Sequence, residues 1–424
     1  MTYQSAVKFL YSLGNEVKAA KLGLERMAAL LDALGRPERG RAFVHVAGTN
    51  GKGSTCAMIE SGLRAAGVRT GLYTSPHLSE PTERIRIAGL PVSREQFSTA
   101  FECVHEAAER LIAAGELEAH PTYFETVTAM ALVLFRDLGA EITVLEVGLG
   151  GRLDATNMVT PRLAVITPVD FDHERFLGRG LTAIANEKAG ILKSGVPVVF
   201  AAQRPEVAGT LSAHASALGI EPIWTSGWKV RDLDLSPSGS RFVAVGPKEI
   251  PIECPLAGEH QVENALTAIA ALDALGFPPE AIAAGIRQTR WPGRLERVSE
   301  NPVLILDGAH NPAGARALAR YIERFYRDRR VWLIYGAMRD KAVTEMAGIL
   351  FPLAGEVILT SPAQARAVRC EALRELVDHP HLRAVPQLEE ALALARREAA
   401  PGDAIFIAGS LYLVGEARAL LGLQ

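Results

Sequence analysis

The stretch "FVHVAGTNGKGSTCAMI", residues 43–59, decides the fold. An apolar, β-branched run stops at the glycine-rich turn GTNGKGST, and an apolar-periodic segment follows at once. Strand, glycine turn and helix in that order are the setting in which free N–H groups at a helix start meet a phosphate. The common phosphate-loop pattern is Gly, four residues, then Gly-Lys-Ser/Thr. Here Val46 stands where the first glycine belongs, and Gly53 separates Lys52 from Ser54. The chemistry survives the departure. Glycines still let the backbone approach an anion, Lys52 can place its ammonium on β- and γ-phosphates, and Ser54 or Thr55 can bond phosphate or magnesium. The spacing predicts a helix over 54–66, with Cys56, Ile59, Leu63 and Ala66 on one face and Gly67 as its stop.

Outward from this loop the same alternation repeats. The runs 142–147, 163–167 and 196–201 read as buried parallel strands between amphipathic helices, which predicts a doubly wound α/β sheet. Between Trp228 and Pro255 the texture changes to short extended runs around SPSGS, a small β excursion within the first domain. The alternation restarts at 303–307, 331–336, 356–360 and 404–410. That restart predicts a second, smaller α/β domain after a polar, Pro-containing linker at 291–302, with the boundary at 295/296.

The chain has 424 residues, so two domains are the natural expectation. Its net charge of −3 offers no global basic field for nucleic acid. The four cysteines are far apart and form no Cys-x-x-Cys, so they suggest neither a zinc site nor a disulfide framework and fit a reducing cytoplasm. The N-terminal stretch lacks the apolar core of a signal peptide, and no uncharged apolar run reaches membrane-spanning length. A protein of the cytoplasm, acting on small molecules and binding neither nucleic acid nor membrane, is expected.

Two further segments carry candidate chemistry. In VLEVGLGGRLDATN (144–157), Glu146 ends a buried strand and Asp154 follows a glycine-rich turn. An acid at the carboxyl end of a strand, beside a phosphate loop, can hold magnesium. In the segment 169–195, His173 follows a strand, and Lys188 sits among Ile184, Ala185, Ala189 and Ile191. A lysine desolvated by such neighbours has a lowered pKa and becomes nucleophilic.

These segments occur together and in order with others: HVAGTNGKGST, YTSPHL, ERIRIAG, EVGLGGRLDATN, DH…FLG…EKAGI, GEHQVENALTAIAAL, WPGRLE, LDGAHNPAGARAL and GSLYLVGEAR. Jointly they resemble the Mur-ligase superfamily and, within it, the dihydrofolate synthase/folylpolyglutamate synthase family. The resemblance spans nearly the whole chain, and it accounts for the unusual phosphate loop as that superfamily's own version. It implies a Mur-ligase-like P-loop ATPase domain with a mainly parallel sheet, followed by a Rossmann-like domain closing over the nucleotide and glutamate site. The implied activity is ATP-dependent addition of L-glutamate to dihydropteroate, to (poly)glutamylated tetrahydrofolate, or to both, through an acyl phosphate.

Carried over position by position, the resemblance assigns ATP to Asn50, Gly51, Lys52, Gly53, Ser54, Asn264, Arg294, Asp307 and His310. It assigns one magnesium to Ser75, Glu146 and His173, and a second to Lys188 once that lysine is carbamylated. Lys52, His173 and Lys188 are thereby the expected catalytic groups. Thr122, Tyr123, Phe124 and Glu125, with Leu153, Asp154 and Ala155, are assigned to the pterin-type substrate, joined by the segment Leu24 to Arg26. Two positions depart from the family pattern: Gly180 stands where Thr is usual, and Ala342 follows RDK where an acid is common. A peptidoglycan-type Mur ligase is the nearest alternative, but only roughly forty residues precede the phosphate loop, too few for the extra domain those enzymes carry. A cyanophycin-type ligase is disfavoured on similar grounds. A nucleotide-dependent switch would need only the phosphate loop and would leave Ser75, His173, Lys188 and the second domain without a role. A monomer is expected.

Overall fold

The computed structural model describes residues 1–14 and 23–423. The N-terminal stretch read as lacking a signal-peptide core therefore lies partly outside the described residues.

The first sheet is built from β1 (Ala42–Ala47), β2 (Thr70–Tyr73), β3 (Ile85–Ile87), β4 (Leu90–Pro91), β5 (Ile142–Glu146), β6 (Leu163–Ile166), β7 (Val198–Phe200) and β8 (Ile223–Trp224). Their spatial order is β4-β3-β2-β5-β1-β6-β7-β8. All neighbours run parallel except at one edge, where β3 pairs antiparallel with β2 and with β4. Every residue of β1 from Phe43 onward is buried, which is why its pattern is continuously apolar rather than alternating. Alternate β1 residues serve opposite faces. Val44 and Val46 join the core under helices Lys52–Ala65, Glu259–Ala274 and Pro279–Gln288. Phe43 joins the core under helices Tyr3–Ser12, Glu25–Ala33, Arg94–Ala113 and Tyr123–Asp137.

Three strands, β9 (Lys229–Ser236), β10 (Gly239–Val245) and β11 (Glu249–Cys254), form a separate antiparallel sheet. In β11, Ile250, Ile252 and Cys254 point inward while Glu249, Pro251 and Glu253 stay exposed, the period of a half-buried strand. This is the β excursion that the sequence predicts.

The second large sheet contains β12 (Glu296–Glu300), β13 (Val303–Leu306), β14 (Val331–Tyr335), β15 (Glu356–Leu359), β16 (Leu382–Ala384) and β17 (Ala404–Ala408). Its order is β12-β13-β17-β14-β15-β16, parallel apart from the β12–β13 hairpin. The predicted linker at 291–302 is thus largely structured. Its polar residues Glu296–Glu300 form an edge strand, which exposes one side to water and so lacks the apolar run of a buried strand.

One helix boundary also differs. The helix after the phosphate loop begins at Lys52 rather than at residue 54, because Gly51 takes a left-handed conformation (φ 80°) and ends the turn there. Gly180, one of the two departures from the family pattern, has φ 97° and ψ 151°, a region essentially reserved for glycine.

Candidate active site

The topology concentrates loops at one place. β1 lies between β5 and β6, and Val46 pairs with Glu146 while Ala47 pairs with Ile166. Three carboxyl ends therefore converge, and open α/β sheets bind ligands beyond such ends. The loop 307–311 leaves β13 in the second sheet and faces them. Together they enclose a cavity of about 500 Å³ lined by residues of both sheets.

The phosphate loop forms its floor. Lys52 Nζ donates to the Thr49 carbonyl at 3.2 Å, folding its ammonium back over the loop. A Cβ at Gly51 would lie 2.1 Å from Asn264 Oδ1, so Asn264 packs against the bare backbone there. Asn264 also donates to Gln261 Oε1 at 3.0 Å, and Gln261 donates to Ser54 Oγ at 3.3 Å. Helix Glu259–Ala274 is thus tied to the start of helix Lys52–Ala65.

Two buried ionisable groups stand beside the loop. Glu146 accepts a 3.1 Å hydrogen bond from the Ser75 backbone N–H, its only partner among the described residues. Burial pushes its carboxyl above the usual range, opposed by the nearby Lys52 charge. Lys188, 4% exposed, donates to the Gly48 carbonyl at 2.7 Å. Burial, aided by repulsion from Lys52, brings its amine down to about 7.

A second cluster joins the two sheets. Asp172 receives Lys341 Nζ at 2.7 Å and Asn311 Nδ2 at 3.3 Å, and His310 Nε2 lies 3.8 Å away. Burial would raise the Asp172 carboxyl, yet Lys341, His173 and His310 hold it well below the usual carboxylate range. His173 stands at φ 53° with Nε2 3.3 Å from Lys341 Nζ. Burial and the Lys341 charge lower His173 to about 4 and His310 to about 4, so both rings are neutral near pH 7. Asn311 Nδ2 also donates to Asn50 Oδ1 at 2.9 Å, a direct tie from the phosphate loop to the second sheet.

Asp307 accepts from the backbone N–H groups of Leu295 and Ala309, each at 2.9 Å. Burial raises its carboxyl. It therefore fixes the crossing between the two sheets as well as lining the cavity. Arg294, beside it, donates to the Gly293 carbonyl at 3.0 Å.

The cavity wall contains every residue assigned from sequence except Leu24, Glu25 and Tyr123. Asn50, Gly51, Lys52, Gly53, Ser54, Ser75, Thr122, Phe124, Glu125, Glu146, Leu153, Asp154, Ala155, His173, Lys188, Asn264, Arg294, Asp307 and His310 all line it, and so does Arg26. Tyr123 does not. Its side chain turns into the core, stacked on Tyr11 at 5.8 Å with Arg84 over its ring, because successive residues of a helix start point in different directions.

Two of the acids on this wall are already engaged. Asp154 accepts from the N–H groups of Gly148, Leu149 and Thr156 and from the Thr156 hydroxyl, so it shapes the loop after β5. Glu125 accepts from Arg26 at 3.2 Å and closes a capping box with Thr122. Sequence reasoning missed Asp172, Asn311 and Lys341. Asp172 and Asn311 adjoin singled-out histidines, and an acid beside a histidine was the available signal. Nothing local linked Lys341 to them.

Two family models match the chain. "Mur ligase middle domain" covers residues 46–272 and "Mur ligase, glutamate ligase domain" covers residues 293–411. A folylpolyglutamate synthase of Lacticaseibacillus casei is 34% identical over 99% of both chains. A probable bifunctional folylpolyglutamate synthase/dihydropteroate synthase of Halobacterium salinarum is 37% identical over 99% of this chain but 51% of that protein, so the chain spans about half the length of that relative. Among solved structures, a Mycobacterium tuberculosis folylpolyglutamate synthase complexed with ADP and AMPPCP superposes with a TM-score of 0.92 at 32% identity, covering 100% of this chain and 99% of that one. These names are those of folate ligases, not of the peptidoglycan ligases that stood as the alternative.

Proposed function

Because the chain belongs to the dihydrofolate synthase/folylpolyglutamate synthase family of Mur-type ligases, we propose that it joins L-glutamate to dihydropteroate, to glutamylated folates, or to both, at the expense of ATP. The observation that carries this reading is the Asn50–Asn311 contact at 2.9 Å. It puts the phosphate loop of the first sheet directly against the loop 307–311 of the second, so a nucleotide on one is capped by the other.

Forming an amide from a carboxylate and an amine in water is uphill. The folate carboxylate attacks the γ-phosphoryl group, the bond to ADP breaks, and an acyl phosphate results. The amino nitrogen of glutamate then attacks the acyl carbon, phosphate departs, and the nitrogen loses a proton. In this scheme Lys52 balances charge on the transferring group, and the first-turn N–H groups around Gly51 to Ser54 hold the phosphates. Asn264, Arg294, Asp307 and His310 surround the rest of the nucleotide. Thr122, Phe124, Leu153 and Ala155 offer the wall for the pterin-type substrate. Because the loops of both sheets shield the cavity, water is kept from the acyl phosphate.

The residues present also fit magnesium. Glu146 is a buried carboxylate with a single neutral donor as partner, facing a phosphate loop, and this is a hard oxygen ligand without a compensating cation in contact. Ser75 and His173 would complete its surroundings, and a metal there would neutralise charge on the phosphoryl oxygens. Lys188 suits carbamylation, since an amine lowered to about 7 is partly neutral at physiological pH and can add carbon dioxide. The resulting carboxylate would supply the ligand for a second ion.

We take the active species to be a monomer, which light scattering checks. The four cysteines are free, as suits a reducing compartment, and we place the enzyme in the cytoplasm. No described helix is long and apolar enough to cross a membrane.

The deciding experiment measures ADP release with dihydropteroate or a reduced folate, each with and without L-glutamate. Release that needs both a folate acceptor and glutamate is expected. Release indifferent to glutamate would indicate a nucleotide switch instead.

A further inference from the structure

Away from the cavity, helix Arg94–Ala113 carries His105 and Glu109 one turn apart, and the loop that follows brings His120 back over them. One ligand atom from each of the three lies within 4.8 Å of the others, and among the described residues this is the one group of three or more His, Cys, Asp or Glu side chains so arranged. We propose that His105, Glu109 and His120 form a binding site for a divalent transition metal of the zinc type, held by two imidazole nitrogens and one carboxylate oxygen, with water completing the shell.

The nitrogen geometry points to this. His105 Nδ1 and His120 Nε2 are 3.2 Å apart. Zinc–nitrogen bonds of about 2.0–2.1 Å at a tetrahedral angle place two nitrogens about 3.3 Å apart. The pair is thus already at metal-bridging separation. The tautomer of His120 is set as well. Its Nδ1 lies 2.9 Å from the Pro121 carbonyl, which can only accept, so Nδ1 carries the proton and Nε2 presents its lone pair toward His105. A ligating histidine whose other nitrogen donates to a backbone carbonyl is the usual arrangement at metal sites.

The surroundings agree. Burial holds His120 below the ordinary imidazole range, which keeps it neutral and able to ligate. Phe9 lies 4.6 Å from the His105 ring and 5.1 Å from the His120 ring, and Phe101 stacks on His105 at 5.4 Å, closing one side with apolar surface. Glu109 is 3.9 Å from His105 Nδ1, and its side chain is more than half exposed, free to swing the remaining distance. With its proton on Nε2, His105 offers the Nδ1 lone pair to the ion. Cysteine spacing gives no hint of such a site, since its donors are imidazole and carboxylate.

The consequence is structural. The residue after Pro121 is Thr122, which caps helix Tyr123–Asp137 and lines the cavity. A bound ion would therefore clamp the loop 114–121 to helix Arg94–Ala113, next to the acceptor wall.

Titration of the untagged chain with zinc chloride, in excess magnesium to occupy oxygen-rich sites, tests the proposal. One equivalent per chain that His105→Asn/His120→Asn lacks is expected, together with a zinc-dependent rise in Tm in the wild type only. Cobalt(II) in place of zinc should give the intense visible bands of a tetrahedral centre. Glu109→Gln, at an exposed position, tests the site even if the double variant misfolds, and should bind at least about tenfold more weakly. No stoichiometric zinc in the wild type, equal binding in a folded double variant, or unchanged affinity in Glu109→Gln overturns the proposal.

Discussion

Lys188 Nζ donates a 2.7 Å hydrogen bond to the carbonyl of Gly48, the residue at which β1 gives way to the phosphate loop. A buried amine is thereby placed under the anion site, where a permanent positive charge is costly and a partly neutral one is tolerated.

The pH dependence follows in sign. The Lys188 amine falls from its ordinary 10.5 to about 7 on folding. Between those values the unfolded chain binds the extra proton and the folded chain does not, so this group's contribution is fully unfavourable below about 7, becomes less so as pH rises across that window, and vanishes above 10.5. The Tm advantage of Lys188→Met over wild type should shrink as pH is raised through neutrality. A pH-independent gap would show that the amine is not perturbed.

Activity gives a separate test of the same residue. Enzyme stripped of carbon dioxide should regain activity on adding bicarbonate, and the regained signal should appear as a carbamate carbon by NMR with labelled bicarbonate. Lys188→Ala should be nearly inactive and partly rescued by short carboxylic acids. Full activity without carbon dioxide, with an unmodified amine, would exclude the carbamate.

Lys52→Ala should lower turnover on the order of a hundredfold or more, the usual cost of losing a group aimed at developing charge. The readout is glutamate-dependent ADP release. Near-normal turnover would remove the loop from the ATP site.

Glu146→Gln and His173→Ala should each shift the magnesium concentration needed for half-maximal rate upward, because each removes a ligand from a hard, oxygen-seeking ion. Saturation at the wild-type magnesium concentration in both variants would contradict the metal assignment.

Asp307→Ala should raise the KM for ATP and also lower stability. It leaves the buried N–H groups of Leu295 and Ala309 without their acceptor, at about 1–3 kcal/mol for each group left unsatisfied. Asp307→Asn, which keeps one acceptor oxygen, should recover part of both. A change in the glutamate KM alone would point to a different role.

The sequence by itself determined the fold class and marked the residues that could carry chemistry. Strand, glycine turn and helix at 43–59 is a local pattern, and buried parallel strands are legible because both of their faces are apolar. Glu146, His173 and Lys188 could be singled out because each sits at a strand end or among apolar neighbours within its own segment. What remained hidden depended on contacts between distant segments. The edge strand Glu296–Glu300 reads as a linker, since one side meets water and its polar residues carry no apolar signal. Tyr123 and Phe124 are adjacent and equally aromatic, and only packing sends one into the core and the other to the cavity. Asp154 and Glu125 are assigned to the pterin-type substrate from sequence, yet the loop after β5 and Arg26 use them as acceptors. The Lys341–Asp172 pair joins residues 169 positions apart, so no local spacing could reveal it. Periodicity records which face of an element is buried. Which partner fills that face, and which polar atom satisfies a buried charge, is set by tertiary packing alone.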